Sequence, residues 1–365
     1  MSRVLRYLAV LVLLAAAACA PRVSPPGDPV AAPALNGDHL RMPDKAELPL
    51  RVWRPDGKPK AVVLALHGFN DYSKAFEVPG AFLAQRGILV YAYDQRSFGG
   101  TPDRGIWPGV KGLTGDLRTA SRLIREQHPD VPLILLGESM GGAVIMAALA
   151  EDAPVEADGV VLAAPAVWSR AVMPAWQARV LAAAAHMVPA MQLTGRGFGK
   201  VPSDNIEMLR ALSRDEKVIK WTRVDAIYGL VNLMDAAFDA APALNGKTLI
   251  LFGSREDIIP RAAMTAFEQR LPRNRCGLRV AQYDTGFHML LRDLKAERVL
   301  TDITAWMADA EAPLPSGAER AYALNSSAAA KTEGNGARHE GDGVGRALAV
   351  NCGASKQPRA RSSAG

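Results

Sequence analysis

Cysteine is nearly absent, with three residues in a chain of 365. Cys19 closes an N-terminal apolar run and Cys352 sits in a polar tail, which leaves Cys276 without an evident partner. A disulfide framework or a cysteine-rich metal site is therefore excluded. Long apolar runs are equally scarce: one exists, at the extreme N-terminus, and that excludes a multi-span membrane protein. His-x-x-x-His pairs and clustered carboxylates are missing too, so no metal and no other cofactor is expected. The body also lacks an excess of one charge. Of the net +6, residues 1–19 contribute Arg3 and Arg6 with no acid, and residues 314–365 contribute seven bases against four acids. Residues 20–313 are left almost balanced, which argues against a nucleic-acid partner.

What is present is an ordinary globular composition, 49% hydrophobic and 22% charged, with enough apolar surface to offset the entropy of ordering. The ends read differently. Arg3 and Arg6 precede a short apolar stretch ending Leu14-Ala15-Ala16-Ala17-Ala18-Cys19, the layout of an export signal over 1–19. Its end resembles a bacterial lipobox, in which the cysteine is lipidated, although Ala16 stands where that pattern prefers Leu. Cleavage after Ala18 without lipidation is the alternative. The expected location is the bacterial cell envelope, by a lipid anchor at Cys19, or else the periplasm or medium. Proline-rich residues 20–47 read as a tether, and residues 314–365, rich in Ala, Gly and Ser without apolar period, as a disordered tail.

Between the ends, apolar runs of strand length (61–66, 88–93, 133–136, 160–164, 248–252 and 278–283) alternate with helical stretches at 75–86, 116–128, 140–150, 261–270 and 293–308. Runs apolar on both faces belong in a buried parallel sheet, so the expected fold is α/β, a mostly parallel doubly wound sheet. Arg51-Val52-Trp53 reads as an edge strand. Residues 168–244 show no clear strand but recurrent Trp, Met and Ala at helical spacing, and read as a helical cap inserted between core segments 48–167 and 245–313.

Gly137-Glu138-Ser139-Met140-Gly141 falls where a strand ends and a helix begins, a context that lifts a serine hydroxyl above the sheet. Such a serine needs a base, and the base an orienting carboxylate, in the chain order Ser, acid, His. Of the six histidines, His288 follows the last expected strand and precedes the last helix, so it is the expected base. The turn after the preceding strand, Gly253-Ser254-Arg255-Glu256-Asp257-Ile258-Ile259-Pro260, supplies the acid. Asp257 is the expected one, Glu256 its rival, and Asp284 a brace for the histidine loop. The oxyanion donors expected on this fold are the amides of Met140 and Phe69, the latter in His67-Gly68-Phe69-Asn70, where His67 reads as a structural residue ordering the turn.

These segments, with Tyr93-Asp94-Gln95-Arg96-Ser97-Phe98-Gly99 and Leu162-Ala163-Ala164-Pro165-Ala166, resemble the α/β-hydrolase superfamily, and within it the monoacylglycerol lipase and lysophospholipase group of serine aminopeptidase S33 type. The family pattern usually has Gly where Ser97 stands. The resemblance implies Ser139 as nucleophile, Asp257 as acid, His288 as base and Phe69 and Met140 as oxyanion amides. It also implies a serine hydrolase of lipid-like carboxylic esters, a monoacylglycerol or lysophospholipid, acting through an acyl-enzyme. A thioesterase, small-ester esterase or peptidase on the same residues, or an idle relative used for binding, are the alternatives. In the cap, Met173, Trp176, Met187, Met191, Phe198 and Trp221 are candidates for an acyl tunnel or for the cap's own core. Trp176, Met191, Phe198 and Trp221 are the substrate-binding residues carried forward. Gly195-x-Gly197-x-Gly199 follows no strand and reads as a flexible cap segment.

Overall fold

The computed structural model describes residues 20–153, 155–195, 199–244, 246–272 and 277–320. The signal reading with Cys19, and all of the tail reading beyond residue 320, fall outside the described residues.

Three strands come first, two short ones and a longer third: β1 (Ala34–Asn36), β2 (His39–Arg41) and β3 (Glu47–Trp53). Strand β4 (Ala61–Leu66), helix α1 (Glu77–Ala84) and β5 (Ile88–Tyr93) follow, then α2 (Val110–Gln127), β6 (Leu133–Glu138), α3 (Met140–Leu149) and β7 (Gly159–Ala163). The insertion holds α4 (Ala175–Met187), β8 (Gln192–Leu193), α5 (Ile206–Arg214), β9 (Thr222–Arg223) and α6 (Val224–Ala240). Strand β10 (Thr248–Gly253), α7 (Arg261–Arg270), β11 (Leu278–Tyr283) and α8 (Ala296–Ala308) close the fold.

Nine strands form one sheet in the order β1-β2-β3-β5-β4-β6-β7-β10-β11. From β5 to β11 every pairing is parallel, as the two-faced apolar runs require, and β4, β5, β6 and β10 are buried along their whole length. From β4 the chain moves out to β5 on one side and then crosses to β6 on the other. The crevice above the carboxyl ends of β4 and β6 is thus a topological switch point, where ligands bind in open α/β sheets. On one face, Leu136, Val161 and Leu251 pack in the same core as Leu300, Ile303 and Trp306 of α8.

Three expectations are corrected here. Residues 51–53 are not an edge: β3 pairs antiparallel with β5 and, on its other side, with β2, which forms a hairpin with β1 through Gly37 at φ +52°. The strands of that hairpin come from the segment read as a tether, and the rest of 20–47 is also fastened to the body. Asp44 accepts from Arg96 at 2.8 Å, Val23 bridges Trp107, and the Arg22 amide donates to Asp225 at 3.1 Å. Proline content set the tether reading, and side-chain partners far away in sequence overrule it. Finally, the tail does not begin at 314. Residues 314–320 run along β11, with the Arg320 amide on the Val280 carbonyl at 3.0 Å, the Gln282 amide on that of Ala318 at 2.8 Å, and Leu314 buried.

The insertion carries α4, α5 and the small β8–β9 ribbon, but α6 packs along the core helix α3. Close approach continues at Gly229 of α6, where a Cβ would come within 2.3 Å of the Trp107 ring.

Candidate active site

The turn after β6 is built by sterics. Ser139 sits at φ +52°, a region costly for a residue with a side chain. A Cβ on Gly137 would lie 2.4 Å from the Gly142 nitrogen, and one on Gly141 would lie 2.1 Å from the Leu66 carbonyl oxygen, so neither position admits another residue without moving backbone. The strained serine is held by its own backbone, its amide donating to the Ala163 carbonyl at 2.9 Å and its carbonyl accepting from Ala166 at 3.0 Å.

His288 arrives from the loop after β11. Its Nε2 lies 3.0 Å from Ser139 Oγ and its Nδ1 lies 2.7 Å from Oε2 of Glu256. Glu256 also accepts from the amides of Ile258 and Ile259 at 2.7 and 2.9 Å. Burial alone would raise this carboxyl, yet the His288 bond and the two amides outweigh it and hold it below its ordinary value. An ionised carboxylate only accepts, so Nδ1 of His288 carries the proton and Nε2 faces the serine hydroxyl as an acceptor.

The expected acid is therefore corrected: Glu256, not Asp257, meets His288. Asp257 is turned to the surface, where Lys200 lies 2.6 Å away and draws its carboxyl below the usual range. The reason is local. The amides of Ser254 and Arg255 bond the Tyr283 and Gly286 carbonyls, pressing the turn onto the histidine loop so that residue 256 faces inward and its neighbour outward. Gly253 is needed for that contact, since a Cβ there would come within 2.2 Å of the Gly286 oxygen. Asp284 is exposed.

The turn after β4 carries Phe69. His67 is fully buried and accepts the Gln95 amide on Nε2 at 2.9 Å, while its Nδ1 donates to the Gly68 carbonyl at 2.8 Å. Burial pushes its pKa down, which suits a neutral structural ring. Phe69 packs edge-on against Phe98 and tilted against Trp107. Among the described residues, the Phe69 amide makes no hydrogen bond to backbone, and the Met140 amide opens α3. Ser97, where the resemblance leads to Gly, adopts φ +70°, which accounts for the glycine preference.

Above these turns opens a cavity of about 510 Å³, within the size range of small-molecule sites. Its walls are mainly apolar: Trp168, Met173 and Leu181 from the insertion, Ile258 and Ile259 from the Glu256 turn, Met289 beside His288, and Ile227, Leu230, Val231 and Met234 from α6. Polar groups converge at Ser139, His288, Asp71, Glu138 and Arg292. Trp176, Met191 and Trp221 are not in the walls. They are 65%, 44% and 58% exposed on the outside of the insertion, and Phe198 lies outside the described residues. The α6 residues that do line the cavity were missed, although their spacing of i, i+3, i+4 and i+7 marks one helix face. No group of residues able to hold a metal occurs among the described residues.

The family model described as serine aminopeptidase, S33 matches residues 57–295. A monoacylglycerol lipase of Mycolicibacterium smegmatis is 28% identical over 269 residues, covering 70% of this chain and 91% of the relative. A monoglyceride lipase of Rattus norvegicus is 27% identical over 292 residues, covering 78% and 94%. The solved structure of a soluble variant of monoglyceride lipase from Saccharomyces cerevisiae, in complex with a substrate analog, aligns with a TM-score of 0.62 at 16% identity, covering 78% of this chain and 98% of that one. At that identity the likeness speaks for the fold.

Proposed function

The chain belongs to the serine aminopeptidase S33 family of α/β-hydrolases, and from that premise we propose that it is a serine hydrolase cleaving a carboxylic ester of a lipid-like substrate, a monoacylglycerol or lysophospholipid, through an acyl-enzyme. The observation that carries the reading is the hydrogen-bonded chain Glu256–His288–Ser139 opening into an apolar cavity. His288 Nε2 takes the Ser139 proton as Oγ attacks the ester carbonyl, and the Phe69 and Met140 amides receive the negative charge that develops on oxygen. The imidazolium, held in orientation by Glu256, returns the proton to the leaving alcohol. Water, deprotonated by the same nitrogen, then releases the acid and restores the serine.

The apolar walls favour an acyl chain as the group retained on the enzyme. The names of the relatives from Mycolicibacterium smegmatis and Rattus norvegicus support monoacylglycerol as the first substrate to test. Large apolar side chains exposed on the outside of the insertion, Trp176, Met187 and Trp221 among them, suit an enzyme that meets amphiphiles. The N-terminal reading extends the proposal to an exported protein tethered by lipid at Cys19. Labelling with a palmitate analogue, lost in Cys19→Ala, tests that extension.

The test of function is fatty-acid release from monoacylglycerols, lysophospholipids and short nitrophenyl esters, with Ser139→Ala beside the wild type. Turnover by the wild type and loss of at least a thousandfold in Ser139→Ala is expected, on the order seen when such a nucleophile is removed. A folded wild type that turns over no ester, and takes no fluorophosphonate on Ser139, would leave a binding role in its place.

A further inference from the structure

Arg292 lies four residues beyond His288 in the same loop and reaches, with its two terminal nitrogens, the turn after β4 and the end of β6. Nη1 is 2.7 Å from Oδ2 of Asp71 and Nη2 is 2.8 Å from Oε2 of Glu138. All three side chains are at most 8% exposed and all three residues border the cavity. Each carboxylate has a particular neighbour. Glu138 immediately precedes Ser139 at φ +52°, and Asp71 immediately follows Asn70 at φ +66°. These positive-φ residues shape the two turns that present the Met140 and Phe69 amides.

A residue in such a conformation costs on the order of 1–3 kcal/mol and persists only where its surroundings over-determine it. A planar guanidinium bonded to both turns is one such restraint, and its fork sets direction as well as distance. Stability alone is a poor reason for the arrangement, because a buried ion cluster is often no more stabilising than apolar packing of the same volume. Here the cluster joins the three segments that carry the serine, both amides and the histidine: the end of β6, the turn after β4 and the loop after β11.

We propose that Arg292 is a positioning residue, which fixes the spacing between the Phe69 and Met140 amides by clamping Asp71 and Glu138 to the histidine loop. The inference rests on the serine-hydrolase reading and adds to it the residue that aligns the oxyanion donors. Its effect falls on the transition state and not on the docked ester, since what the clamp sets is the spacing of donors that meet the developing oxyanion.

Arg292→Lys keeps the positive charge and loses the fork. The experiment uses the full chain, a short nitrophenyl ester, and a trifluoromethyl ketone whose hemiketal mimics the tetrahedral intermediate, with the folded fraction taken from fluorophosphonate titration of Ser139. The expected result is a fall in kcat on the order of 10- to 100-fold, KM within about twofold of wild type, and inhibition by the ketone weakened by the same factor as kcat/KM. Asp71→Asn and Glu138→Gln each weaken one arm and should lower kcat and ketone affinity in step, by less. They decide the matter if Arg292→Lys does not fold. A lowered melting temperature with kcat and ketone affinity unchanged would show a merely structural cluster, and a raised KM at unchanged kcat would show a substrate contact; either overturns the proposal. A wild type inert to ester and fluorophosphonate alike overturns the hydrolase reading and this one with it, whereas an active wild type matched by its variants overturns this one alone.

Discussion

One carbon of side chain and one position in the chain separate Glu256 from Asp257, and the site distinguishes them completely. Glu256 is buried with three hydrogen bonds to its carboxylate, while Asp257 is paired with Lys200 at the surface. Glu256→Gln should therefore lower kcat on the order of 10³- to 10⁴-fold, as loss of the orienting acid does in such triads. Asp257→Asn should stay within about threefold of wild type, and steady-state kinetics on one nitrophenyl ester reads both. The same carboxylate makes a pH prediction. Its folded pKa lies below the ordinary 4.5, so its contribution to stability is present above 4.5 and is lost as pH falls through the lower folded value. Thermal melts should show the gap between wild type and Glu256→Gln widest near neutral pH and closing below pH 4.5. Asp293 runs the other way. Burial raises it to about 6, so its contribution is present below 3.8 and fades as pH rises through 6. The presence of a serine, an acid and a histidine in order was legible in the chain. Which of two adjacent acids faces inward was not, because that follows from how the 253–256 turn is pressed onto the loop after β11.

Helix α6 shows the same division at the level of the element. It presents Ile227, Leu230, Val231 and Met234 to the cavity, buries Leu233, Ala237 and Phe238, and packs along α3. Its two apolar faces serve two purposes, wall and core, and composition alone does not say which is which. Leu230→Trp fills cavity volume from the wall. Esters of long acids should lose kcat/KM on the order of tenfold while a butyrate ester changes little, as pocket discrimination among alkyl groups runs at that scale. A nitrophenyl ester series from short to long acyl chains reads the result, and an equal loss at every length would mean that Leu230 does not border the acyl path. The exposed Trp176, Met191 and Trp221 teach the converse: Trp176 lies on α4 but faces outward, and Met191 and Trp221 flank the β8–β9 ribbon, so large apolar residues in the insertion fix neither the element nor the direction it faces.

At the scale of the whole molecule, the folded body reaches further in both directions than its strand and helix pattern. Asp44 and Val23 fasten the leading segment, and residues 314–320 complete the far side of the sheet. Ser316 donates to the fully buried Asp302, which Tyr283 also bonds at 2.9 Å, and Leu314 joins the core. A chain ending at residue 313 should lose about 3 kcal/mol relative to one ending at 320, from the exposed core leucine and the Asp302 bonds given up. Differential scanning calorimetry should show the shorter chain melting several degrees lower, and equal melts would mean that 314–320 adds nothing.

The sequence by itself determined the alternation of strands and helices, the parallel sheet, the sharp turn at Ser139 and the choice of His288, because buried periodicity and steric demands on glycine are local properties of the chain. The tertiary structure alone decided that Glu256 orients the histidine, that α6 lines the cavity, that 20–47 is packed and not a tether, and that Arg292 joins Asp71 to Glu138. Each of those depends on partners far apart in sequence, and burial and hydrogen-bond geometry settle them only once the chain has closed on itself.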